Sequence, residues 1–244
     1  MTTKKPQRIT SFAFEPGTTL VGKYRVIEKL GSGWEAEVYR VREILTGVDR
    51  AAKFFFPHRN VRDKAVKFYA KKLHKLRHCP IVIQYVTQER MTVFDQTVTF
   101  LVSEYAEGQV LTTFLAQQPQ KRLTPFEALH LLHALARGMA MIHDQKESHC
   151  DLHPGNVMVQ RRGLGFDVKI IDFFQWKAAR PEQLEDDVRG LVEILYTATG
   201  GARHYAKQPD VIRHIVCGLK KSLLRRRFRS AVELRDHLEE LTWD

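Results

Sequence analysis

The sequence predicts an α+β protein with two lobes. The first is a small antiparallel sheet with one helix, and the second is mainly helical with a shortened segment between Asp172 and Asp187. Three observations predict this fold. Alternating, β-rich segments separated by glycine turns fill residues 23–56. A segment with helical period and two more strand-like segments follow up to residue 104. Beyond residue 108 the apolar spacing is mainly helical.

The small lobe is predicted from its strands and turns. The expected strands cover residues 23–30, 37–42, 50–56, 82–88 and 97–104. Glycines 31 and 33 break the first strand, and Gly47-Val48-Asp49 is typical of a hairpin turn. One helix is expected between Val61 and His78, where apolar residues recur on one face and lysines on another.

The large lobe is predicted to begin with a capped helix. Thr124 precedes Pro125 and lies three residues before Glu127, which is the spacing of a capping box, and the helix runs to about His143. The other expected elements are strands at 157–160 and 167–171 and helices at 184–198 and 230–241. We expect residues 1–20 to form an extension, 21–103 the small lobe, and 104–244 the hinge and large lobe of one domain.

The composition excludes several classes of protein. The chain has 244 residues, 43% of them hydrophobic, which excludes a disordered or fibrous protein. No apolar run approaches the ~18 residues that cross a bilayer, and no apolar segment of a secretory signal follows the first basic residues. Three cysteines without CxxC spacing favour reduced thiols over a disulfide framework or a zinc site. We therefore expect a soluble, cytoplasmic protein without a membrane span.

The net charge of +11 comes from 39 Lys and Arg against 28 Asp and Glu. Basic residues concentrate at Lys4-Lys5 and in the ranges 64–77 and 220–229. These runs either solvate the outer faces of helices or bind an acidic partner, and both interpretations stay open. No helix-turn-helix, zinc finger or aromatic stacking motif accompanies them, so we expect no specific nucleic-acid partner.

Six short motifs follow one another along the chain. They are GSGWEAEV at 31–38, AAK at 51–53, HCDLHPGN at 149–156, DFF at 172–174, DVRGL at 187–191 and RFRSAVEL at 227–234. Together they resemble the glycine-rich loop, strand-three lysine, catalytic loop, metal-binding DFG, buried-Asp helix and last helix of the protein kinase superfamily. The resemblance covers nearly the whole chain from Lys23 onward. Residues 22–42 and 227–234 resemble bacterial Ser/Thr protein kinases most. It implies ATP and Mg²⁺ as cofactors and a protein hydroxyl as acceptor.

The resemblance assigns a role to each motif residue. Lys53 is expected to hold the α- and β-phosphates, Asp151 to orient the attacking hydroxyl, and Asn156 and Asp172 to bind Mg²⁺. Glycine backbone suits phosphates because N–H groups approach them without an intervening Cβ. The residues expected around the nucleotide are Gly31, Ser32, Gly33, Ala36, Val38, Ala51, Lys53, Glu104, Tyr105, Ala106 and Met158.

Several positions depart from the family pattern. No Glu lies between Glu43 and Glu89, so the helix lacks the acid that usually pairs with the strand-three lysine, and Tyr69 takes the inward position. Either Asp172 or the ATP phosphates are then expected to hold Lys53. Phe174 replaces the glycine of DFG, which removes the residue about which the metal-binding Asp172 would flip most easily. Residues 173–186 contain no Ser, Thr or Tyr, which predicts a kinase without a phosphorylation switch in this segment.

The sequence favours a minimal Ser/Thr protein kinase but leaves two alternatives. His153 is similar to its counterpart in the catalytic loops of aminoglycoside and choline kinase relatives, which phosphorylate small alcohols. The missing helix Glu and the DFF motif favour a pseudokinase that serves as a nucleotide-binding or interaction module. The retention of Lys53, Asp151, Asn156 and Asp172 opposes the pseudokinase.

Overall fold

The computed structural model describes residues 8–163, 165–173 and 179–242. The chain divides into two compact units. The amino-terminal unit contains the described chain up to Arg77 together with Ile83–Ala106, and the carboxy-terminal unit contains His78–Val82 and the chain from Glu107 onward. Among the described residues, no helix combines the length and apolar character needed to cross a membrane.

The amino-terminal unit is built on a six-stranded antiparallel sheet with the strand order β1-β2-β3-β4-β6-β5. The strands are β1 (Thr19–Leu20), β2 (Tyr24–Ser32), β3 (Ala36–Glu43), β4 (Asp49–Phe55), β5 (Tyr85–Val93) and β6 (Gln96–Glu104). Buried residues of β2, β3, β4, β5 and β6 contribute to an aromatic core. The strands expected at 82–88 and 97–104 lie at 85–93 and 96–104, because the chain first turns at Cys79–Val82.

The aromatic core incorporates the described part of the N-terminal extension. Ile9 and Phe12 are buried against the face of the sheet on which Phe54 and Phe100 stack, with ring centroids 4.3 Å apart. The Phe12 ring lies 5.5 Å from the Phe54 ring, so residues 8–14 form part of this hydrophobic layer.

Helix α1 (Lys64–Lys75) is shorter than the expected span of 61–78. It begins after Asn60, whose side-chain oxygen accepts hydrogen bonds from the main-chain N–H groups of Ala65 and Val66. Its apolar face is buried, and Lys64, Lys67, Lys71 and Lys75 lie exposed on the other face. The helix therefore has the amphipathic pattern that the sequence predicts.

The carboxy-terminal unit is mainly helical. Its helices are α2 (Leu111–Gln117), α3 (Pro125–Asp144), α4 (Pro181–Ala198), α5 (Ala202–Tyr205), α6 (Asp210–Val216), α7 (Lys221–Arg227) and α8 (Ala231–Glu239). A small antiparallel sheet of β7 (Gln109–Val110), β8 (Val157–Arg162) and β9 (Gly165–Ile170) accompanies them. The predicted capping box is present, since Thr124 and Glu127 bond each other's main-chain N–H groups.

Candidate functional site

The glycine-rich segment forms the turn between β2 and β3. The main-chain N–H of Gly33 donates to the carbonyl of Ala36 at 2.9 Å, and Gly31 pairs with Val38 across the strands. A Cβ placed on Gly31 meets no described atom within 4 Å, so packing does not require glycine there. The absence of side chains at 31 and 33 instead lets a phosphate approach the main chain of this turn without meeting a Cβ.

Lys53 lies in the middle of β4 and forms an ion pair with Glu35. The Nζ of Lys53 is 2.8 Å from the Oε1 of Glu35, and the two side chains are only 13% and 14% exposed. The hydroxyl of Tyr69 donates to the same oxygen at 2.8 Å. The Lys53 ammonium also lies 4.0 Å from the centroid of the Tyr69 ring, within the range of a cation–π contact.

Glu35 is a partner that the sequence analysis missed. The partners expected for Lys53 are Asp172 or the ATP phosphates, and the structure adds a carboxylate from the glycine-rich turn. Tyr69 does take the inward position of α1, but its hydroxyl bonds Glu35. The sequence pattern does not reveal the pairing of Glu35 with Lys53. Glu35 and Glu37 have the spacing of residues on one face of a strand. The Glu37 carboxylate nevertheless accepts hydrogen bonds from Ser11 and Phe12 of the N-terminal extension.

The other nucleotide-site residues of this unit share the face of Lys53 or follow β6. Val38 is the cross-strand partner of Lys53, and Ala51 lies two residues before Lys53, so all three side chains project from one face. Ala51 is paired in turn with Ser103, which is buried. Ala36 is buried at the start of β3, beside the glycine turn.

The expected hinge segment, residues 104–106, is held by its neighbours within the amino-terminal unit. Glu104 ends β6, and its main-chain N–H and carboxylate bond the main chain of Gln84 at 2.8 and 3.0 Å. The Tyr105 ring lies 4.7 Å from the Arg40 guanidinium, and Ala106 is buried. These contacts fix the main-chain groups of a segment that the sequence resemblance assigns to nucleotide binding.

The catalytic-loop motif is anchored by Asp187 of α4. Its carboxylate, 1% exposed, accepts hydrogen bonds from the main-chain N–H groups of His149 and Cys150, both at 2.8 Å. The Nε2 of His143 lies 3.2 Å from the same carboxylate. Cys150 adopts a φ of 65°, a left-handed conformation that costs a non-glycine residue on the order of 1 kcal/mol. The hydrogen bonds to Asp187 hold the loop in this shape.

Asp151 and Asn156 come together in this loop. The side-chain Nδ2 of Asn156 donates to the main-chain oxygen of Asp151 at 2.9 Å, with the Asp151 carboxylate at 3.4 Å. Asn156 is buried, whereas the Asp151 side chain is 53% exposed and lies 3.8 Å from the Nε2 of His153. The loop thus fixes one amide and presents one accessible carboxylate.

Asp172 lies directly beside this loop. The residue before it, Ile171, donates its N–H to the carbonyl of Asn156 at 3.0 Å, and its carbonyl lies 2.8 Å from the Nε2 of His149. Asp172 is exposed and has a φ of 59°, and the buried Phe173 ring lies 4.9 Å from the His149 ring. Phe174, the departure from DFG, lies outside the described residues together with 175–178.

The donor atoms around Asn156 and Asp172 suit Mg²⁺. An amide oxygen and a carboxylate are hard ligands, and Mg²⁺ in proteins commonly takes only one or two such ligands beside waters and substrate phosphates. No cluster of three or more His, Cys, Asp or Glu that would suit a tightly held resident metal occurs within the described parts of the chain. Met158, expected beneath the adenine, is half-buried on β8 opposite Lys169.

A model of the protein kinase domain matches residues 24–214, well over half of the chain. Among curated proteins, the serine/threonine-protein kinase pkn2 of Myxococcus xanthus is 31% identical over 170 residues, covering 67% of this chain and 19% of that protein. The serine/threonine-protein kinase PrkC of Bacillus subtilis is 26% identical over 160 residues, covering 64% of this chain and 23% of that protein. The chain therefore spans about a fifth of the length of these two relatives.

Solved structures agree on the fold. The crystal structure of the PknI kinase domain of Mycobacterium tuberculosis matches with a TM-score of 0.65 and 20% identity, covering 93% of this chain and 99% of that one. A double mutant of the same domain matches equally well. The two-lobed architecture expected from the sequence, with an antiparallel sheet in one lobe and helices in the other, is thereby confirmed.

Proposed function

Because the chain belongs to the protein kinase family, we propose that it is an ATP-dependent Ser/Thr protein kinase, which transfers the γ-phosphoryl group of ATP to a protein hydroxyl. The observation that carries the proposal is the loop anchored by Asp187, which holds Asn156 against Asp151 and leaves the Asp151 carboxylate exposed. Phosphoryl transfer depends mainly on positioning and electrostatic stabilisation, and this loop supplies both.

Two sets of residues serve this one reaction in the proposal. In the amino-terminal unit, Lys53 binds the α- and β-phosphates and the main chain of the glycine turn covers them. The side chains of Ala36, Val38 and Ala51 and the main chain of Glu104–Ala106 bind the nucleoside. In the carboxy-terminal unit, Met158 contacts the nucleoside, and Asp151 accepts the proton of the acceptor hydroxyl and directs its oxygen toward the γ-phosphorus.

Asn156 and Asp172 would hold Mg²⁺, through the amide oxygen and the carboxylate. The ion neutralises charge on the phosphate oxygens when it is bound. The hydrogen bond from Asn156 Nδ2 to Asp151 turns the amide oxygen of Asn156 away from Asp151, which frees that oxygen for a ligand role.

We place the acceptor on a protein, since the curated relatives pkn2 and PrkC are Ser/Thr protein kinases. The exposed lysines of α1 and the basic run 220–229 favour an acidic protein substrate by charge complementarity. A cytoplasmic location agrees with the three cysteines of the sequence, which lack CxxC spacing. The absence of Ser, Thr and Tyr from residues 173–186 indicates that no phosphorylation within this segment switches the enzyme on.

One assay tests the reaction and the class of acceptor. The wild-type protein and the Asp151→Ala and Asp172→Ala variants are incubated with Mg²⁺ and γ-labelled ATP, with an acidic Ser-containing protein, a neutral one, or choline and an aminoglycoside. We expect label on protein, most on the acidic protein, and none in either variant. Asp167→Ala removes another exposed carboxylate, from β9, and is expected to keep activity. Transfer to choline or the aminoglycoside alone would identify a small-molecule kinase instead of a protein kinase. Transfer that persists in Asp151→Ala would refute the role assigned to Asp151.

A further inference from the structure

Glu35, the acid that pairs with Lys53, lies in the turn between β2 and β3 and not on helix α1. The main-chain carbonyl of Glu35 accepts a hydrogen bond from Phe56 at 2.9 Å, which extends the pairing of β3 with β4 by one residue. Lys53 lies on the same strand β4, three residues before Phe56. Backbone pairing of adjacent strands therefore fixes the distance between the two residues of the ion pair.

The Glu35 carboxylate is held from two sides. Lys53 Nζ and the Tyr69 hydroxyl both donate to its Oε1 at 2.8 Å. Tyr69 is itself fixed, since it is buried on α1 with its ring 5.5 Å from that of Phe55. Two donors on one oxygen, in a place where both charged side chains are mostly buried, make this a more ordered pair than a surface salt bridge.

We propose that Glu35 is the positioning residue for Lys53, replacing the glutamate that helix α1 lacks. The proposal rests on the proposed kinase activity, because it assigns Lys53 to the ATP phosphates. Glu35 sets the direction of the lysine ammonium, and Tyr69 sets the direction of the carboxylate. Since Glu35 belongs to the turn that covers the phosphates, the orientation of the lysine depends on that turn and not on the placement of an acid by α1.

The first test compares Glu35→Gln with Glu28→Gln. Glutamine keeps the shape of Glu35 but cannot neutralise Lys53. Glu28 is an exposed glutamate of β2 that pairs with Arg40 and serves as the matched control. We expect Glu35→Gln to lower kcat/KM for ATP by about tenfold or more, with a melting temperature near that of the wild type. Unchanged kcat and KM in a folded Glu35→Gln protein would overturn the proposal.

The second test moves the acid to the helix. The Tyr69 hydroxyl lies 2.8 Å from the Glu35 oxygen, so a glutamate at 69 brings a carboxylate to the same region. We expect Tyr69→Glu to restore a substantial part of the activity lost in Glu35→Gln. A double variant that folds, binds no more nucleotide than Glu35→Gln and regains no activity contradicts a positioning role.

A binding measurement separates this inference from the proposed function. The affinity for a fluorescent ATP analogue needs no turnover, and we expect it to fall several-fold in Glu35→Gln and to recover in the double variant. A wild-type protein that binds the analogue without transferring phosphate defeats the proposed activity, while the Glu35 dependence of binding still tests the inference. Equal affinity in wild type and Glu35→Gln counts against the inference alone.

Discussion

Glu37, on β3 beside the glycine-rich turn, shows how strongly the pKa of one residue depends on its neighbours. Its carboxylate is 1% exposed and accepts hydrogen bonds from Lys29, Tyr39, Ser11 and the main chain of Phe12, at 2.6, 2.6, 2.9 and 3.0 Å. Burial alone would raise the pKa of Glu37, but these donors outweigh burial and lower the pKa to about 2. Burial and the Glu37 carboxylate both raise the pKa of Tyr39.

This shift predicts a specific acid sensitivity. Because the folded-state pKa of Glu37 is lowered from 4.5 to about 2, the ionised group contributes about 3 kcal/mol to the free energy of unfolding above the unfolded-state pKa. The contribution is lost as pH falls from about 4.5 through about 2. We expect Glu37→Gln to be less stable at neutral pH and to lose less stability across that window, measured by urea denaturation at several pH values.

The control for this measurement is Glu28→Gln, which changes an exposed glutamate of the neighbouring strand. It is expected to follow the wild-type pH dependence. A Glu37→Gln protein whose stability falls in acid as steeply as that of the wild type would show that Glu37 is not the group responsible.

The sequence predicts the motif residues better than it predicts their partners. Lys53, Asp151, Asn156 and Asp172 are recognisable because their motifs resemble those of protein kinases in chain order, and the structure brings Asp151, Asn156 and the residue before Asp172 into hydrogen-bond contact. Glu35 is not recognisable as the partner of Lys53, since it lies just before the first residue of β3, where the alternation of the strand no longer determines the side-chain direction. Contacts made where an element begins or ends depend on tertiary packing that no local pattern contains.

At the scale of elements, α4 supports the catalytic loop at two points. Asp187 bonds the main chain of His149 and Cys150, and Gly190, one turn later, lies against Leu152. A Cβ on Gly190 would lie 2.5 Å from the main-chain oxygen of Leu152 and 3.0 Å from its Cβ. Because the obstacle is main chain, the loop that carries Asp151 must move to admit a methyl group.

Gly190→Ala is therefore expected to affect both stability and activity. Overpacking of this kind costs about 1–3 kcal/mol, and the displaced loop should lower kcat more than it raises KM for ATP. Glu193→Ala, on the same helix and partly exposed, serves as the control and should leave both quantities near wild type. Chemical denaturation and steady-state kinetics give the two readouts, and a Gly190→Ala enzyme with full kcat would show that α4 does not set the loop position.

Elements with strong local signals were predictable, and short ones were not. The capping box at Thr124 identifies the start of α3 correctly, and the alternating strands of the sheet are confirmed to within a few residues. Helices α2, α5, α6 and α7 contain only four to seven residues, too few to show a helical period. Their position depends on packing within the carboxy-terminal unit.

At the scale of the whole molecule, the chain combines the kinase fold with a reduced set of control features. Family membership follows from the match over residues 24–214. The helix glutamate is absent, residues 173–186 contain no phosphorylatable hydroxyl, and Lys53 is paired with an acid from the glycine turn. These features together predict a kinase that is active without phosphorylation of residues 173–186, because the sheet and the catalytic loop position its reacting groups.

The central claim is that this chain transfers phosphate by means of Asp151 without prior phosphorylation. The most direct measurement is the time course of phosphate transfer from γ-labelled ATP by protein that has been treated with a phosphatase and then freed of it. We predict transfer without a lag in the wild type and a loss of at least about a hundredfold in Asp151→Asn. Nucleotide binding without any Asp151-dependent transfer would contradict the account and identify the protein as a nucleotide-binding module.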